Sequence, residues 1–285
     1  MEKIKDNIYV ETDFLGCNPS FVVTSQGLVM IDTPQKPSEA LKWKKEIQKF
    51  GEVTYLINTD HHQDHAIGNY FFGGDIIVHE GTRKELLAEE KIKAFQDWME
   101  MVEPQSKSLM DHYFIRKPKI TYQRKMDIFL GDEIFELTGI LSHTQYETIV
   151  YMPRKKVVFV GDTVCTNGIP ILQESYLIEW LEALQFLKGM NFEVLVPGHG
   201  KIGNKDSVTQ FHRELSQVIY RVIEKMDKGD SKEAVVKEVR YEDAVHRKYP
   251  PAATEIFSHY IQLSIGKIYD ELTQNGPKLK SLLAR

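Results

Sequence analysis

The sequence is poor in cysteine. Cys17 and Cys165 are the only two among 285 residues, too few for the disulfide framework that stabilises small secreted domains. The first ten residues, M-E-K-I-K-D-N-I-Y-V, also lack the apolar core of a secretory signal. Both absences favour a reducing compartment, and we expect a cytoplasmic protein.

Long apolar runs and excess positive charge are also missing. No stretch approaches the roughly 20 apolar residues that a membrane-spanning helix needs. The formal net charge is -5, and the isoelectric point near 6.1 gives no overall basic field. Nucleic-acid binding depends on such a field. We therefore expect a small-molecule substrate and neither a nucleic acid nor a membrane as partner.

Apolar patterning predicts that strands and helices alternate, and that this arrangement occurs twice. The first group has strands at residues 8–10, 21–23, 28–31, 53–57 and 75–78, with helices at 38–50 and 82–102. The second has strands at 128–130, 134–137, 148–152 and 157–160, a helix at 177–187 and a strand at 194–196. The polar segment 103–119 between them is expected to be a lid or a linker. This pattern predicts two similar α/β halves packed as a sandwich.

The remaining sequence has helical spacing. Asp206 and Ser231 can cap two helices, and a last helix follows Pro250 and is weakened or ended by Gly266 and Gly276. We predict a core over residues 1–205 and C-terminal helices over 206–285 that pack on it as one structural unit. Covering a sheet is the first expectation for these helices, and a role in a homodimer is the second.

The stretch T-D-H-H-Q-D-H places three histidines and two aspartates within six consecutive positions, directly after a predicted strand. Imidazole nitrogens and carboxylate oxygens are good ligands for divalent metals at neutral pH. Sheets of α/β proteins bind ligands beyond the carboxyl ends of their strands. Alternating side chains such as Asp60 and His62 can point to one ion, while Asp64 and His65 in the following turn can face a second ion.

Three distant residues occupy similar places. His143 lies in L-S-H-T-Q, Asp162 in V-V-F-V-G-D-T and His199 in V-L-V-P-G-H-G. Each is a polar residue that follows an apolar strand, and two of them adjoin glycines that permit close backbone approach. These residues are candidates for the same metal site.

In order and spacing, these motifs resemble those of the metallo-β-lactamase fold superfamily. The family pattern is H-x-H-x-D-H, a later His, an Asp after a Gly, and a His in a G-H-G-like turn; the resemblance extends over roughly residues 5–205. It implies a four-layer αββα sandwich of the α+β or α/β class. It also implies two metal positions: Asp60, His62 and His143 at the first, Asp64, His65 and His199 at the second, and Asp162 between them.

The resemblance further implies a hydrolase with two divalent ions, zinc being expected first. A metal-bound hydroxide would attack an ester, thioester, lactone or β-lactam, and Asp64 would orient the water or accept its proton. Asp60 departs from the pattern because a histidine is expected there. A carboxylate makes the first position harder, which suits iron or manganese. Alternatively, Asp60 binds nothing and the enzyme holds one ion; use of His61 instead is less expected, since neighbouring strand residues face opposite sides.

Two other functions remain as alternatives within the same fold. A mononuclear iron sulfur-dioxygenase needs only part of the ligand set, and retention of Asp162 and His199 argues against it. A nuclease is disfavoured by the acidic isoelectric point. Tyr146, close after His143, is a candidate for substrate binding. The other histidines, His79, His112, His212, His246 and His259, are expected to be structural or solvated, and Cys165 to be buried without a catalytic role.

Overall fold

Two β-sheets form the centre of the structure, a computed structural model that describes residues 1–241 and 250–283. The seven-stranded sheet contains, in spatial order, β1 (Glu2–Lys5), β2 (Ile8–Val10), β3 (Ser20–Thr24), β4 (Gly27–Ile31), β5 (Val53–Ile57), β6 (Asp75–His79) and β7 (Ile120–Tyr122). The five-stranded sheet contains β8 (Lys125–Leu130), β9 (Glu133–Ile140), β10 (Glu147–Met152), β11 (Val157–Phe159) and β12 (Val194–Val196). The predicted sandwich of two halves is confirmed. His246 lies outside the described residues.

Helices cover the outer face of each sheet. They are α1 (Pro37–Ile47), α2 (Gln63–Ala66), α3 (Glu80–Leu86), α4 (Lys91–Val102), α5 (Leu177–Gly189), α6 (Lys205–Asp227), α7 (Lys232–Glu238) and α8 (Pro251–Leu283). One apolar cluster joins α1 and α4 to the first sheet, and another joins α5, α6 and most of α8 to the second. The layers are therefore α, β, β and α, as the resemblance implied. In the described part of the chain, no helix has the length and apolar character needed to cross a membrane.

The central strands are apolar on both faces because each face is covered. In β4, Leu28 and Met30 pack in the cluster under α1, whereas Val29 and Ile31 pack in the cluster between the two sheets. Successive side chains of a strand point to opposite faces, so a strand buried on both sides has no polar positions. This explains the uninterrupted run G-L-V-M-I.

Parallel pairing brings the polar strand ends to one edge. Strands β4, β5, β6 and β7 run parallel in the first sheet, and β11 runs parallel to β12 in the second. The residues that follow β4, β5, β11 and β12 therefore emerge at the carboxyl edges of the two sheets, where α/β proteins bind their ligands. Asp32, Asp60, Asp162 and His199 are among these residues.

The single helix predicted over residues 82–102 is wrong, because the structure has two helices separated by residues 87–90. Helix α3 ends at Leu86, and α4 begins at Lys91. The intervening L-A-E-E consists of good helix formers, so local propensity contains no signal for the break. Packing decides it: α4 buries Phe95, Trp98 and Met99 in the cluster that also contains α1.

The connection 103–119 is packed against the core. Met110 and Tyr113 are buried, and Glu103 accepts hydrogen bonds from the backbone and side chain of Ser38. Arg116 donates to four backbone carbonyls, those of Asn69, Phe72, Gly73 and Gly74. The expected linker between the halves is instead the short turn between β7 and β8, at residues 123–124.

The C-terminal helices agree with the predictions in part. Asn204, not Asp206, caps α6, and it forms a capping box with Ser207. Ser231 caps α7 as predicted. Helix α8 continues through Gly266, where a weakening was predicted, but its backbone is non-helical at Asn275 (φ -133°), so the interruption predicted at Gly276 is present as a kink. A Cβ at Gly266 would lie 3.3 Å from Lys232 Cε and 3.7 Å from Val236 Cγ2, so α7 packs directly against this glycine.

Trp43 and Leu41 on α1 provide a matched test of this packing. Trp43 is fully buried beside Phe14 and Phe21, whereas Leu41 is 36% exposed. We expect Trp43→Ala to lower the free energy of unfolding by about 3–5 kcal/mol, because it leaves a cavity. Leu41→Ala should cost less than about 1 kcal/mol. Urea denaturation of both variants measures the difference, and equal losses would contradict the orientation of α1.

Candidate metal centre

The loop after β5 is held in place by buried hydrogen bonds. Asp32 accepts from the backbone N–H of Thr59 at 2.8 Å and from its hydroxyl at 2.5 Å. The Asn58 amide donates to the carbonyl of His65 at 2.9 Å, and Asn69 donates to the amide oxygen of Asn58 at 2.7 Å. Buried polar groups need such partners. The positions of the candidate ligands are therefore fixed by their neighbours.

Asp64, His65 and His199 form one convergent group. Each offers a ligand atom, and these atoms lie within 4.8 Å of one another. His65 Nδ1 lies 2.9 Å from Asp32 Oδ2, and His199 Nδ1 lies 2.8 Å from the carbonyl oxygen of Gly16. Because those contacts use the Nδ1 atoms, the Nε2 atoms are left to face the centre, as they do in many metal sites.

Asp60, His62 and His143, the residues of the predicted first metal position, form another convergent group, again within 4.8 Å. Asp60 Oδ2 lies 2.5 Å from His62 Nδ1 and 3.9 Å from His143 Nε2. The other carboxylate oxygen of Asp60 accepts a hydrogen bond from the backbone N–H of His61 at 2.5 Å. One oxygen thus holds the loop, while the other contacts His62 and faces His143.

Asp162 lies between the two groups. Its Oδ1 is 3.4 Å from His65 Nε2 and 3.3 Å from His199 Nε2, while its Oδ2 is 3.7 Å from His143 Nε2. Gly198 makes room for this carboxylate, because a Cβ at that position would lie 2.0 Å from Asp162 Oδ1. Steric hindrance therefore explains why the residue before His199 is glycine.

The donor atoms fit a cation. Among the described residues, the buried His65 Nε2 and Asp162 Oδ1 have no hydrogen-bond partner. Such atoms are rare inside proteins and require an explanation. Both face the point where the imidazoles and carboxylates converge, and this donor set of nitrogen and oxygen suits divalent metals. The clusters can therefore hold metal.

The electrostatics of the two groups keep their carboxylates ionised. Burial opposes ionisation of Asp60, but the charges of His62 and His61 outweigh it and hold the pKa of Asp60 well below its ordinary value. Burial likewise opposes protonation of His62, yet Asp60 raises the pKa of His62 to about 10. For His143, burial dominates and lowers the pKa. Ionised carboxylates thus face protonated imidazoles, and a metal ion would take the place of the protons on the imidazoles.

The structure does not bring Tyr146 to this centre. Its ring stacks on His79 at a centroid distance of 5.2 Å and packs against Gly81, away from the residues that line the pocket beside the ligands. The geometry gives no support to its predicted contact with substrate. His79 bonds the backbone of Gly81 and Gln123, as a structural histidine would. His112 and His259 are exposed, and His212 and Cys165 are buried.

A pocket of about 180 Å³ opens beside the two groups, and sequence reasoning missed most of its walls. Besides the metal-site residues, its lining includes Lys91, Trp98, Pro170, Ile171, Gln173, Glu174, Phe257 and Tyr260. They come from α4, from the loop before α5 and from α8. No local motif marks such residues, because only the fold brings them together.

Glu174 connects the pocket wall to the loop after β5. Its carboxylate lies 3.3 Å from His61 Nε2 and 3.8 Å from His62 Nε2. Hydrogen bonds from these histidines lower the pKa of Glu174. His61, which the alternation argument set aside as a ligand, thus lies between Asp60 and Glu174, with its Nδ1 atom 3.0 Å from Asp60 Oδ1.

Comparison with known proteins agrees with this architecture. The family model of the metallo-beta-lactamase superfamily matches residues 12–199. The chain is 25% identical over 219 residues to a metallo-beta-lactamase type 2 of Elizabethkingia meningoseptica, covering 70% of this chain and 78% of that protein. A protein of the same description from Pseudomonas aeruginosa is 24% identical over 218 residues, covering 72% and 79%.

Two solved structures show the same fold. A metallo-beta-lactamase from Pontibacter korlensis superposes with a TM-score of 0.59 at 21% identity, covering 73% of this chain and 94% of that one. The stereoselective inverting sec-alkylsulfatase Pisa1 from Pseudomonas sp. superposes with a TM-score of 0.67 at 13% identity. That match covers 94% of this chain, including much of the helical tail, and 49% of the sulfatase. At these identities the likeness concerns the fold alone.

The two ligand groups predict that single substitutions affect metal binding selectively. Asp60→Ala should weaken the first position by about tenfold or more, because it removes a carboxylate oxygen from that group. His199→Ala should do the same at the second position. Anomalous diffraction at the metal edges and metal content by mass spectrometry measure both effects. His112→Ala, at an exposed histidine, is the control and should retain the wild-type content.

Asp60→His tests the departure from the family pattern directly. If Asp60 is a ligand, histidine should restore occupancy that alanine loses and shift the preference towards zinc. Full occupancy of both positions in Asp60→Ala would show that this carboxylate binds no metal.

Proposed function

Because the chain belongs to the metallo-β-lactamase superfamily, we propose that it is a dinuclear metal-dependent hydrolase that cleaves an acyl bond of a small substrate. The observation that carries the proposal is the convergence of two three-residue ligand groups beside one pocket, with Asp162 between them. A single metal position would need only half of these residues. The complete set therefore supports two ions.

The chain's own residues have separate roles in binding. Asp60, His62 and His143 would hold one ion, and Asp64, His65 and His199 the other, with Asp162 within reach of both. When bound, such ions polarise the bond to be cleaved and lower the pKa of water to about 7. Zinc suits this set of nitrogen and oxygen donors, while the carboxylate of Asp60 keeps iron and manganese as candidates.

Asp64 is positioned to accept a proton. It lies at the start of α2 and lines the pocket, and its Oδ2 is 3.2 Å from His199 Nε2. Burial opposes its ionisation, but the hydrogen bond from His199 and the charge of His65 outweigh it and lower the pKa of Asp64. The ionised carboxylate faces the pocket, where it can orient a water molecule; its lowered pKa makes it a weak base, so it would accept a proton only from water that bound metal has made acidic.

The size and charge of the pocket support a small substrate. The cavity of about 180 Å³ is lined by Asp64, Asp162 and Glu174 as well as by apolar side chains. Three carboxylates and a net charge of -5 disfavour a nucleic acid, since polyanion binding needs a basic surface. The iron dioxygenase alternative is disfavoured because both ligand groups are complete.

Hydrolysis of a panel of chromogenic substrates tests the proposal. Protein stripped with a chelator and reloaded with zinc, iron(II) or manganese should hydrolyse at least one of an ester, a thioester, a lactone and a cephalosporin. Chelation should abolish turnover. Asp64→Asn should lower kcat by about 10²–10⁴-fold, the usual contribution of a general base. The exposed Asp127→Asn on β8 is the control and should leave kcat unchanged.

Three results would count against the proposal. Turnover that survives chelation would exclude a metal-dependent reaction. Activity confined to RNA or DNA would favour the nuclease. Oxygen uptake with a persulfide, without hydrolysis of any ester or lactam, would favour the dioxygenase. A secondary alkyl sulfate is added to the panel because the structural neighbours include an alkylsulfatase. Hydrolysis of this sulfate, and of no other substrate in the panel, would replace the acyl bond of the proposal with a sulfate ester bond.

A further inference from the structure

We propose that Lys91 selects substrates that combine an apolar body with a negatively charged group such as a carboxylate or a sulfonate. The inference rests on the proposed function, because it assumes that metal ions occupy the two ligand groups. It concerns a residue that neither the metal motif nor the family pattern includes.

Lys91 lies in the wall of the pocket that contains the metal centre. It is the first residue of α4, and it shares the lining with His62, Asp64 and Asp162. Among the described residues of this lining, it is the one lysine or arginine. The break between α3 and α4 is what places it there, since a continuous helix would have a different direction after residue 86.

Carboxylates lie near the ammonium group of Lys91 without contacting it, and the charges of Asp60, Glu174, Glu85 and Glu90 all act to raise its pKa. Within the described ranges it forms no ion pair, whereas Lys93 on the same helix lies 2.8 Å from Asp97. The Lys91 Nζ atom lies instead over the ring of Phe95, 5.2 Å from its centroid. A partly buried cation without an anion in contact loses hydration that the ring only partly replaces. Burial lowers the pKa of Lys91, and an anion beside it would raise that pKa again.

The first turn of α4 is not a position that favours a positive charge by itself. The first turn of a helix favours acidic side chains because the macrodipole is positive at that end. Helix α4 has no acidic residue in its first turn and carries a lysine there. The charge therefore opposes the helix dipole slightly, while Glu85 and Glu90 partly offset this cost; the side of Lys91 that lines the pocket remains available to an anion.

The charges of the centre agree with this role. Four carboxylates, those of Asp60, Asp64, Asp162 and Glu174, lie in or directly behind the pocket. Two divalent ions would balance them, and Glu174 is already held by His61 and His62. Lys91 would then supply a positive charge in the pocket wall, at which an anionic group of the substrate can be held.

Apolar side chains near Lys91 would bind the apolar part of the substrate. Lys91, Phe95 and Trp98 are spaced by four and three residues, so they lie on one face of α4. Lys91 and Trp98 are separated by about 10 Å along the helix axis at 1.5 Å per residue. Ile171 and Phe257 approach the same pocket from the loop before α5 and from α8. A substrate with a charged end and an apolar end matches this arrangement.

Two chromogenic esters of equal chain length test the proposal. The 4-nitrophenyl monoester of glutarate carries a carboxylate, and 4-nitrophenyl valerate is neutral. In the zinc-loaded wild type, kcat/KM should be higher for the glutarate ester. Lys91→Met, which preserves the length of the side chain, should lower the ratio of the two kcat/KM values about tenfold, since hydrogen bonds to charged groups contribute this much. Lys91→Arg should retain the preference, and Lys91→Glu should reverse it.

Lys93→Met is the matched control, because Lys93 is an exposed lysine on the same helix. It should keep the wild-type ratio. An unchanged ratio in Lys91→Met, or an equal fall in Lys93→Met, would overturn the proposal. Circular dichroism of each variant checks that α4 remains folded.

Binding of probes that cannot be hydrolysed separates this inference from the proposed function. Isothermal titration of zinc-loaded protein with hexane-1-sulfonate, hexanoate and hexan-1-ol should show tighter binding of at least one anion than of the alcohol. Comparison of the two anions shows which group fits. Lys91→Met should remove that difference. If it does so while no panel substrate is hydrolysed, anion selection stands and the proposed reaction fails. A difference that persists in Lys91→Met, or no difference in the wild type, would overturn the assignment of Lys91.

Discussion

The metal centre depends on one buried carboxylate that does not belong to either ligand group. Asp32, directly after β4, accepts hydrogen bonds from Thr59 and contacts His65 Nδ1, so it joins two neighbouring strand ends to a ligand. Its backbone has φ of 54°, a left-handed conformation that costs a non-glycine residue roughly 1 kcal/mol or more. The hydrogen bonds it forms there maintain this conformation. Without Asp32, the orientation of His65 and the path of the loop would both lose their support.

The residues of the two ligand groups could be predicted from the sequence because each of them follows a strand whose apolar pattern is local. Strands β5 and β12 have the bounds that their patterns predicted, and Asp60 and His199 follow them. The pocket walls could not be predicted in this way. Lys91 occupies its place because a run of good helix formers breaks before it, and Phe257 lies on a helix far away in the chain. Tertiary packing decides both, and neither leaves a periodic signal. The same reason explains why Gly266 continues a helix that it was expected to weaken.

The carboxylate of Asp60 affects its neighbours as well as its own position in the centre. Its two oxygens serve different neighbours, since Oδ1 accepts from the backbone N–H of His61 and Oδ2 faces His62. An imidazole also has two polar atoms, but they lie on opposite sides of a rigid ring and could not both be used at such short range. The aspartate therefore draws His61 into the centre, and through His61 it reaches Glu174 in the pocket wall. The first metal position and the substrate pocket are thus connected by side-chain contacts.

Helix α8 belongs to both outer layers of the sandwich. Its early residues Ala253 and Phe257 pack in the cluster with α4, while Ile265, Ile268 and Leu272 pack in the cluster with α5 and α6. The family model ends at residue 199, before this helix begins. The residues of the two ligand groups and the helix that contributes Phe257 and Tyr260 to the pocket wall are therefore encoded in separate stretches of the chain. During evolution, substitutions in the tail can alter which molecules enter the pocket while the ligands stay unchanged, so that relatives with the same metal motif can diverge in substrate.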